Sequence, residues 1–276
     1  MKPAQAPCKG HKTARINRVL ANHRFTPTQP PHHKGTVMND LEELMPQPIP
    51  TAARPLLGRT ILVVEDSRFA CEAMRLLCMR SGARLRRADC LASARRHLLV
   101  FRPTIVIADL GLPDGCGADL LHELAQASPR ITALLGMSGD PSRESEAIAA
   151  GADGFLAKPV ESLAAFQELI LAHLPPDMQP AGLRPVDNDQ ITPDPLAYHD
   201  DIAHACEVLN NKTDAFTLDY VAQFTAGVAR SANDRKLMVA AQALAQHRTN
   251  GSPVRSDLAR LAGLLQDRLA ARRAVI

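Results

Sequence analysis

Apolar positions change their period along the chain. From about residue 58 to 176, short apolar runs alternate with stretches in which apolar residues recur three and four positions apart. The run Ile61-Leu62-Val63-Val64 is apolar throughout, the pattern of a parallel strand covered on both faces. It ends at Glu65-Asp66-Ser67; Ala70, Ala73, Met74 and Leu77 then keep the spacing of a helix laid on a sheet, and Gly82 stops that helix. The alternation goes on to predict a weak second strand at 85–88 with a helix at 91–101, and a third strand, Ile105 to Ala108, running into Asp109. A helix to about Gln126, a fourth strand from Thr132 to Met137, a helix from Pro141 to Ala150 and a fifth strand from Gly154 to Ala157 follow. Lys158-Pro159 is expected to open a last helix carrying Leu163, Phe166, Ile170 and Leu174 on one face. Five βα units predict an α/β fold with a doubly wound, five-stranded parallel sheet, whose functional groups collect at the carboxyl ends of the strands.

From Leu196 onward the pattern is helical. A helix at 196–209 precedes three stripes: Phe216, Tyr220, Val221, Phe224 and Val228; Leu237, Ala240, Ala241 and Leu244; and Leu258, Leu261, Leu265 and Leu269. Stripes this regular predict buried faces, hence a small all-α C-terminal module, a bundle or a set of partner-binding helices. Pro175, Pro176, Pro180, Pro185, Pro193 and Pro195 crowd between the two patterns and read as a semi-rigid linker. The organisation expected is a leader at 1–57, an α/β domain at 58–176, a linker at 177–195 and a helical output module at 196–276.

Charge changes this picture mainly at the start. The 276 residues carry 32 Lys and Arg against 29 Asp and Glu, a formal charge of +3. Residues 1–57 hold 8 basic and 3 acidic residues, and residues 1–37 hold no acid at all. So basic and Pro-rich a stretch has too little apolar surface to offset the entropy of ordering it, and it reads as a disordered leader. A basic arm can meet nucleic acid or an anionic membrane face. Phe25 is the one aromatic of residues 1–37, however, and Met38 offers an alternative start. No run of about 18 apolar residues occurs, and no apolar core of a secretory signal follows the basic start, so a cytoplasmic location without membrane association is expected. The six cysteines form no C-x-x-C pair and read as small apolar residues.

The candidate chemistry lies at the predicted strand ends: Glu65 and Asp66 after the first, Asp109 after the third, Ser138 after the fourth and Lys158 after the fifth. Three clustered carboxylates repel one another unless a cation sits among them, and hard carboxylate oxygens suit Mg²⁺. A lysine reaching in can pair with the reacting carboxylate or with an anion placed on it, and a hydroxyl can donate to a phosphoryl oxygen. The set suits a carboxylate nucleophile attacking a phosphoryl donor, with Asp109 as nucleophile because it stands alone on the central strand. Taken singly, Asp66 or Asp140 would be a helix cap, Ser138 a loop hydroxyl, Phe155 plain core and Cys116 a small buried residue.

The stretches Ile61-Leu62-Val63-Val64-Glu65-Asp66-Ser67, Ala108-Asp109-Leu110-Gly111-Leu112-Pro113-Asp114-Gly115, Gly136-Met137-Ser138-Gly139 and Gly151-Ala152-Asp153-Gly154-Phe155-Leu156-Ala157-Lys158-Pro159 stand in the order and spacing of a known family. Over about residues 58–176 the sequence resembles the CheY-like receiver domain of two-component response regulators, with its flavodoxin-like sheet. The resemblance implies that Asp109 takes a phosphoryl group from a histidine kinase or phosphotransfer protein. It also implies that Glu65, Asp66, Asp109 and the carbonyl of Gly111 hold Mg²⁺, that Ser138 and Phe155 form the switch, and that Lys158 is the counter-ion. Gly111 and Asp140 occupy positions that influence acyl-phosphate lifetime in that family. Phosphorylation would shift helix 4, strand 5 and helix 5, a surface open to an output protein or to dimerisation.

Other classes fit less well. A phosphatase with an aspartyl nucleophile typically needs a second acid where Gly111 stands, and neither phosphate-binding glycine motif of nucleotide enzymes occurs. The chain therefore reads as a regulator and not an enzyme beyond self-dephosphorylation. The C-terminal helices show no helix-turn-helix pattern, and their 10 basic against 8 acidic residues are too balanced to argue for DNA. Nucleic acid is kept as the alternative partner of a transcription regulator, which a steep loss of affinity with salt would reveal. His247-Arg248-Thr249-Asn250-Gly251 partly matches a phosphotransfer histidine motif but has Asn250 where a lysine belongs.

Overall fold

The computed structural model describes residues 48–182, 189–211 and 214–273. Most of the basic leader, Met38 included, and part of the proline-rich linker lie outside these residues. Five strands, β1 (Thr60–Val64), β2 (Arg84–Ala88), β3 (Ile105–Asp109), β4 (Ala133–Ser138) and β5 (Gly154–Ala157), form one parallel sheet in the order β2-β1-β3-β4-β5. Between them run α1 (Arg68–Ser81), α2 (Leu91–Val100), α3 (Gly117–Ala125) and α4 (Glu144–Ala149, behind a 3₁₀ turn at Pro141–Arg143), with α5 (Leu163–Ala172) after β5.

Both faces of the sheet are covered, as the unbroken apolar strands require. Ile61, Val63, Ile105 and Ile107 point to one face and pack with Met74 and Leu77 of α1 and Phe166 and Ile170 of α5. Leu62, Val64, Val106 and Ala108 point to the other and pack with Ala94 of α2, Leu120 and Leu121 of α3 and Ala147 of α4. Gly82 ends α1 in the left-handed conformation, φ 84°, a geometry glycine takes without a Cβ penalty.

Two boundaries differ from the sequence reading. The leader was expected to run to residue 57, but Leu56 is wholly buried in the first core and its amide donates to the Ser81 carbonyl at 2.8 Å. The helix after β5 does not open at Pro159. It starts at Leu163, capped by the Ser162 hydroxyl, because the intervening backbone pairs with the linker: Ile191 donates to Glu161 at 2.8 Å and Leu163 to Asp189 at 3.2 Å. Ile191 is buried in the same core, which fastens the described end of the linker to the sheet domain.

The C-terminal segment forms α6 (Pro195–Asn211), α7 (Ala215–Ser231), α8 (Arg235–Thr249) and α9 (Arg255–Arg273) around a separate core of Ile202, Val221, Phe224, Leu237, Leu244, Leu261 and Leu265, among others. Asp214 caps α7 through the Thr217 amide, and Asp234 caps α8 through that of Leu237. One residue of the expected stripes is misplaced. Phe216 is 60% exposed, since the first turn of α7 buries Thr217 and Leu218 in its place.

Candidate functional site

Strand register brings the polar residues together. Asp109 ends the central strand opposite Met137, one residue short of Ser138, and the Lys158 amide donates to the Ser138 carbonyl at 2.8 Å. On the other side the Glu65 amide donates to Ala88 at 2.9 Å, which carries β1 one residue further and leaves Asp66 at the mouth. Glu65, Asp66 and Asp109 each offer an oxygen within 4.8 Å of the others. Ser67 caps α1 by accepting from the Ala70 amide at 3.0 Å.

Lys158 crosses the cleft to this group. Its Nζ lies 2.5 Å from Glu65 Oε2 and 3.1 Å from Asp109 Oδ1, and all three side chains are buried or nearly so. The second Glu65 oxygen accepts from the Ser67 amide at 3.0 Å. Burial pushes the Glu65 carboxyl well above its ordinary value, Lys158 opposing and Asp109 adding. Burial and then the Asp109 charge raise Asp66 to about 6, against the hydrogen bond it accepts from Tyr220. Burial alone would lower the Lys158 ammonium, but Asp109 and Glu65 outweigh it and leave its pKa raised. The cleft thus holds more negative than positive charge.

Asp109 is 6% exposed and packed tightly from behind, since a Cβ on Gly117 would collide with its carbonyl oxygen. One on Gly111 would sit 3.7 Å from Asp109 Oδ2, so the Gly111 backbone borders that carboxylate. The buried Ser138 hydroxyl accepts from the Asp140 amide at 3.1 Å. Asp140 itself caps the 3₁₀ turn by accepting from the Ser142 amide and hydroxyl. Phe155 is half-buried against the α4 side of the sheet, its ring edge facing Gly136. Cys116 donates to Glu146 at 3.3 Å, and burial pushes its thiol up to about 12, which makes it inert.

The structure therefore gathers Glu65, Asp66, Asp109, Gly111, Ser138 and Lys158 at one cleft, with Phe155 behind it. It also places residues there that local sequence patterns did not indicate. Tyr220 of α7, expected to be core, donates its hydroxyl to Asp66 Oδ2 at 2.7 Å. Asp201 of α6 accepts from the Ser67 hydroxyl at 2.7 Å and from the amides of Arg68 and Phe69 at 2.8 and 3.0 Å. Arg230 of α7 donates to the Gly139 carbonyl. His247 shows no tie to the cleft: its Nδ1 lies 2.6 Å from Asp257.

The sheet is parallel in this order, with carboxylates and a lysine gathered at its carboxyl edge. Residues 61–170 match the family described as response regulator receiver domain, and that segment is a receiver domain. The KDP operon transcriptional regulatory protein KdpE of Escherichia coli K12 is 32% identical over 99 residues, which are 36% of this chain and 44% of that protein. Transcriptional regulatory protein DpiA of the same strain is 35% identical over 104 residues, 37% of this chain and 46% of DpiA. The chain thus spans less than half the length of these curated relatives. Among solved structures, the chemotaxis response regulator CheY4 of Vibrio cholerae is 21% identical with a TM-score of 0.38, covering 42% of this chain and 98% of its own. The receiver domain of sensor histidine kinase PA1611 of Pseudomonas aeruginosa, described with magnesium in its active-site cleft, is 20% identical with a TM-score of 0.38, covering 42% and 96%.

Proposed function

We propose that the chain is a two-component response regulator in which Asp109 accepts a phosphoryl group from a histidine kinase or phosphotransfer protein and thereby alters a protein contact. The observation that carries this reading is the buried Lys158 bridging Glu65 and Asp109, with Asp66 beside them at the strand edge. A carboxylate oxygen of Asp109 attacks phosphorus, the bond from phosphorus to the donor nitrogen breaks, and the donor leaves with the electron pair; Lys158 offsets charge on the transferred group.

The donor set fits Mg²⁺. Three carboxylates share one lysine, and burial, with the Asp109 charge adding, raises the acids of Glu65 and Asp66. Asp66, Asp109 and the Gly111 carbonyl are the groups that would hold the cation; Glu65, with both oxygens engaged, would meet it through water. The bound cation supplies further charge neutralisation on the transferred group. Ser138 gives up the Asp140 amide and turns its hydroxyl to the phosphoryl oxygens, and Phe155 follows by repacking beside α4. The regulator acts in the cytoplasm and by contact, not by catalysis. The α4–β5–α5 surface is the one to meet an output protein or a second copy. DNA is the less favoured output, because the relatives named as transcriptional regulators match this chain over less than half their length and no residue pattern in α6–α9 speaks for a duplex.

The test is intact mass after incubation with Mg²⁺ and a small phosphodonor. Wild type is expected to gain one phosphoryl group and Asp109→Asn none; an adduct that survives in Asp109→Asn refutes the assignment.

A further inference from the structure

The α6–α7 face of the C-terminal bundle lies across the mouth of the acceptor cleft and engages the loops that bear its chemistry. Asp201, only 2% exposed, acts as a second cap on α1, taking the Ser67 hydroxyl and two backbone amides directly after Asp66. Tyr220 places its hydroxyl on an Asp66 oxygen, and His204 Nε2 lies 3.2 Å behind that hydroxyl. Arg230 holds the Gly139 carbonyl in the loop after Ser138, and Gln223 Oε1 sits 3.7 Å from where a Gly111 Cβ would be. Outside these, Arg68 pairs with Asp200 at 2.8 Å, and the rings of Phe69 and Tyr198 meet edge to face. Two acceptor-side loops are therefore held by one surface of the same chain, and that surface borders a third at Gly111.

Access follows from this geometry. An open cleft of about 760 Å³ runs beside the bundle, with Asp66, Arg87, Asp89, His204 and Tyr220 among its walls; Asp109 and Lys158 are not in its lining. Asp109 itself keeps only 6% of its surface exposed. A donor histidine carried on a protein cannot bring phosphorus to Asp109 while α6 and α7 stand there, and a cation on Asp66 competes for a carboxylate that Tyr220 already binds.

We propose that the four-helix bundle is an intramolecular cap on the receiver cleft, latched by Tyr220 on Asp66 and by Asp201 on the β1–α1 loop, and that cation and phosphodonor displace it. The proposal rests on the reading of Asp109 as phosphoacceptor and states how that site is regulated. Displacement exposes the face bearing Asp201, Tyr220 and Arg230, so that loading the site and uncovering the bundle are one event.

The test is Mn²⁺ titration of the full chain, followed by loss of the free-ion electron paramagnetic resonance signal, for wild type, Tyr220→Phe, Asp201→Asn and Asp66→Asn. Removing a hydrogen bond to a charged group predicts about tenfold tighter Mn²⁺ binding in Tyr220→Phe. Asp201→Asn is expected to shift in the same direction and Asp66→Asn to bind most weakly. Equal affinity in wild type, Tyr220→Phe and Asp201→Asn overturns the cap while leaving the acceptor reading intact. No binding by any variant, with far-ultraviolet circular dichroism unchanged, removes the acceptor reading and the cap with it. A second measurement needs no variant: hydrogen exchange at the Arg68 and Phe69 amides should accelerate when Mg²⁺ and beryllofluoride are added to wild type. Unchanged protection with beryllofluoride bound overturns the proposal.

Discussion

Lys158 decides the energetics of the cleft. Its ammonium is the positive partner of both Glu65 and Asp109 in a place that water hardly enters. Breaking a buried pair by removing one partner costs more than the pair contributes, because an unmatched charge stays behind. Lys158→Met leaves Glu65 and Asp109 facing each other with Asp66 alongside. Without divalent cation, urea unfolding at neutral pH should show a loss of roughly 3 kcal/mol. Added Mg²⁺ should recover part of it, since a cation replaces the missing charge. A loss below about 0.5 kcal/mol, the range of ordinary surface changes, would mean that the carboxylates shed their charge by protonation instead.

Among the elements, one carboxylate ties three helices of the bundle together. Asp234 caps α8 through the Leu237 amide, accepts from the Tyr198 hydroxyl of α6 at 2.9 Å, and takes a paired hydrogen bond from Arg268 of α9. The Arg268 guanidinium in particular holds its carboxyl down at about 2. A depressed carboxylate contributes stability that is complete above the unfolded value, about 3.9, and is lost as pH falls through the folded value. The stability difference between wild type and Asp234→Asn, measured by urea at each pH, should be flat from about pH 7 to 5 and shrink below about 4. A difference that grows on acidification would contradict the assignment. The strands were legible because each is buried on both faces and so apolar without interruption, and five site residues were legible because they end those strands. The start of α5 was not legible, since the Glu161 carbonyl and the Leu163 amide are engaged by the distant segment at Asp189 and Ile191. Nor were Asp201 and Tyr220, whose partners stand 134 and 154 residues away. In the sequence Tyr220 is one more ring in an apolar stripe, and only tertiary structure turns its hydroxyl to a carboxylate.

For the whole molecule, what matters is that the receiver and the bundle keep separate apolar cores and meet through polar groups and one ring contact, Phe69 against Tyr198. Interfaces of this kind within a chain resemble transient ones between proteins, and they separate when their few buried contacts are weakened. Asp201 and Tyr220 grip adjacent residues of one loop, Ser67 and Asp66, so neither contact keeps its full value once the other has gone. Neighbouring contacts on a shared element couple by about 0.5–3 kcal/mol, whereas independent sites add within about 0.5 kcal/mol. A double-mutant cycle of Asp201→Asn and Tyr220→Phe, read by urea unfolding of the full chain in chelator, should therefore show coupling of at least about 1 kcal/mol. Calorimetry of the double variant should resolve separate melting of the two cores, with the van 't Hoff enthalpy falling below the calorimetric one. Wild type in the same buffer should melt in one transition, because the latch makes the second core's unfolding follow the first. Additive single effects together with an unsplit transition in the double variant would mean that Phe69 against Tyr198 and Arg230 on Gly139 join the two halves without the cleft, and the link between site loading and bundle release would fail at this scale.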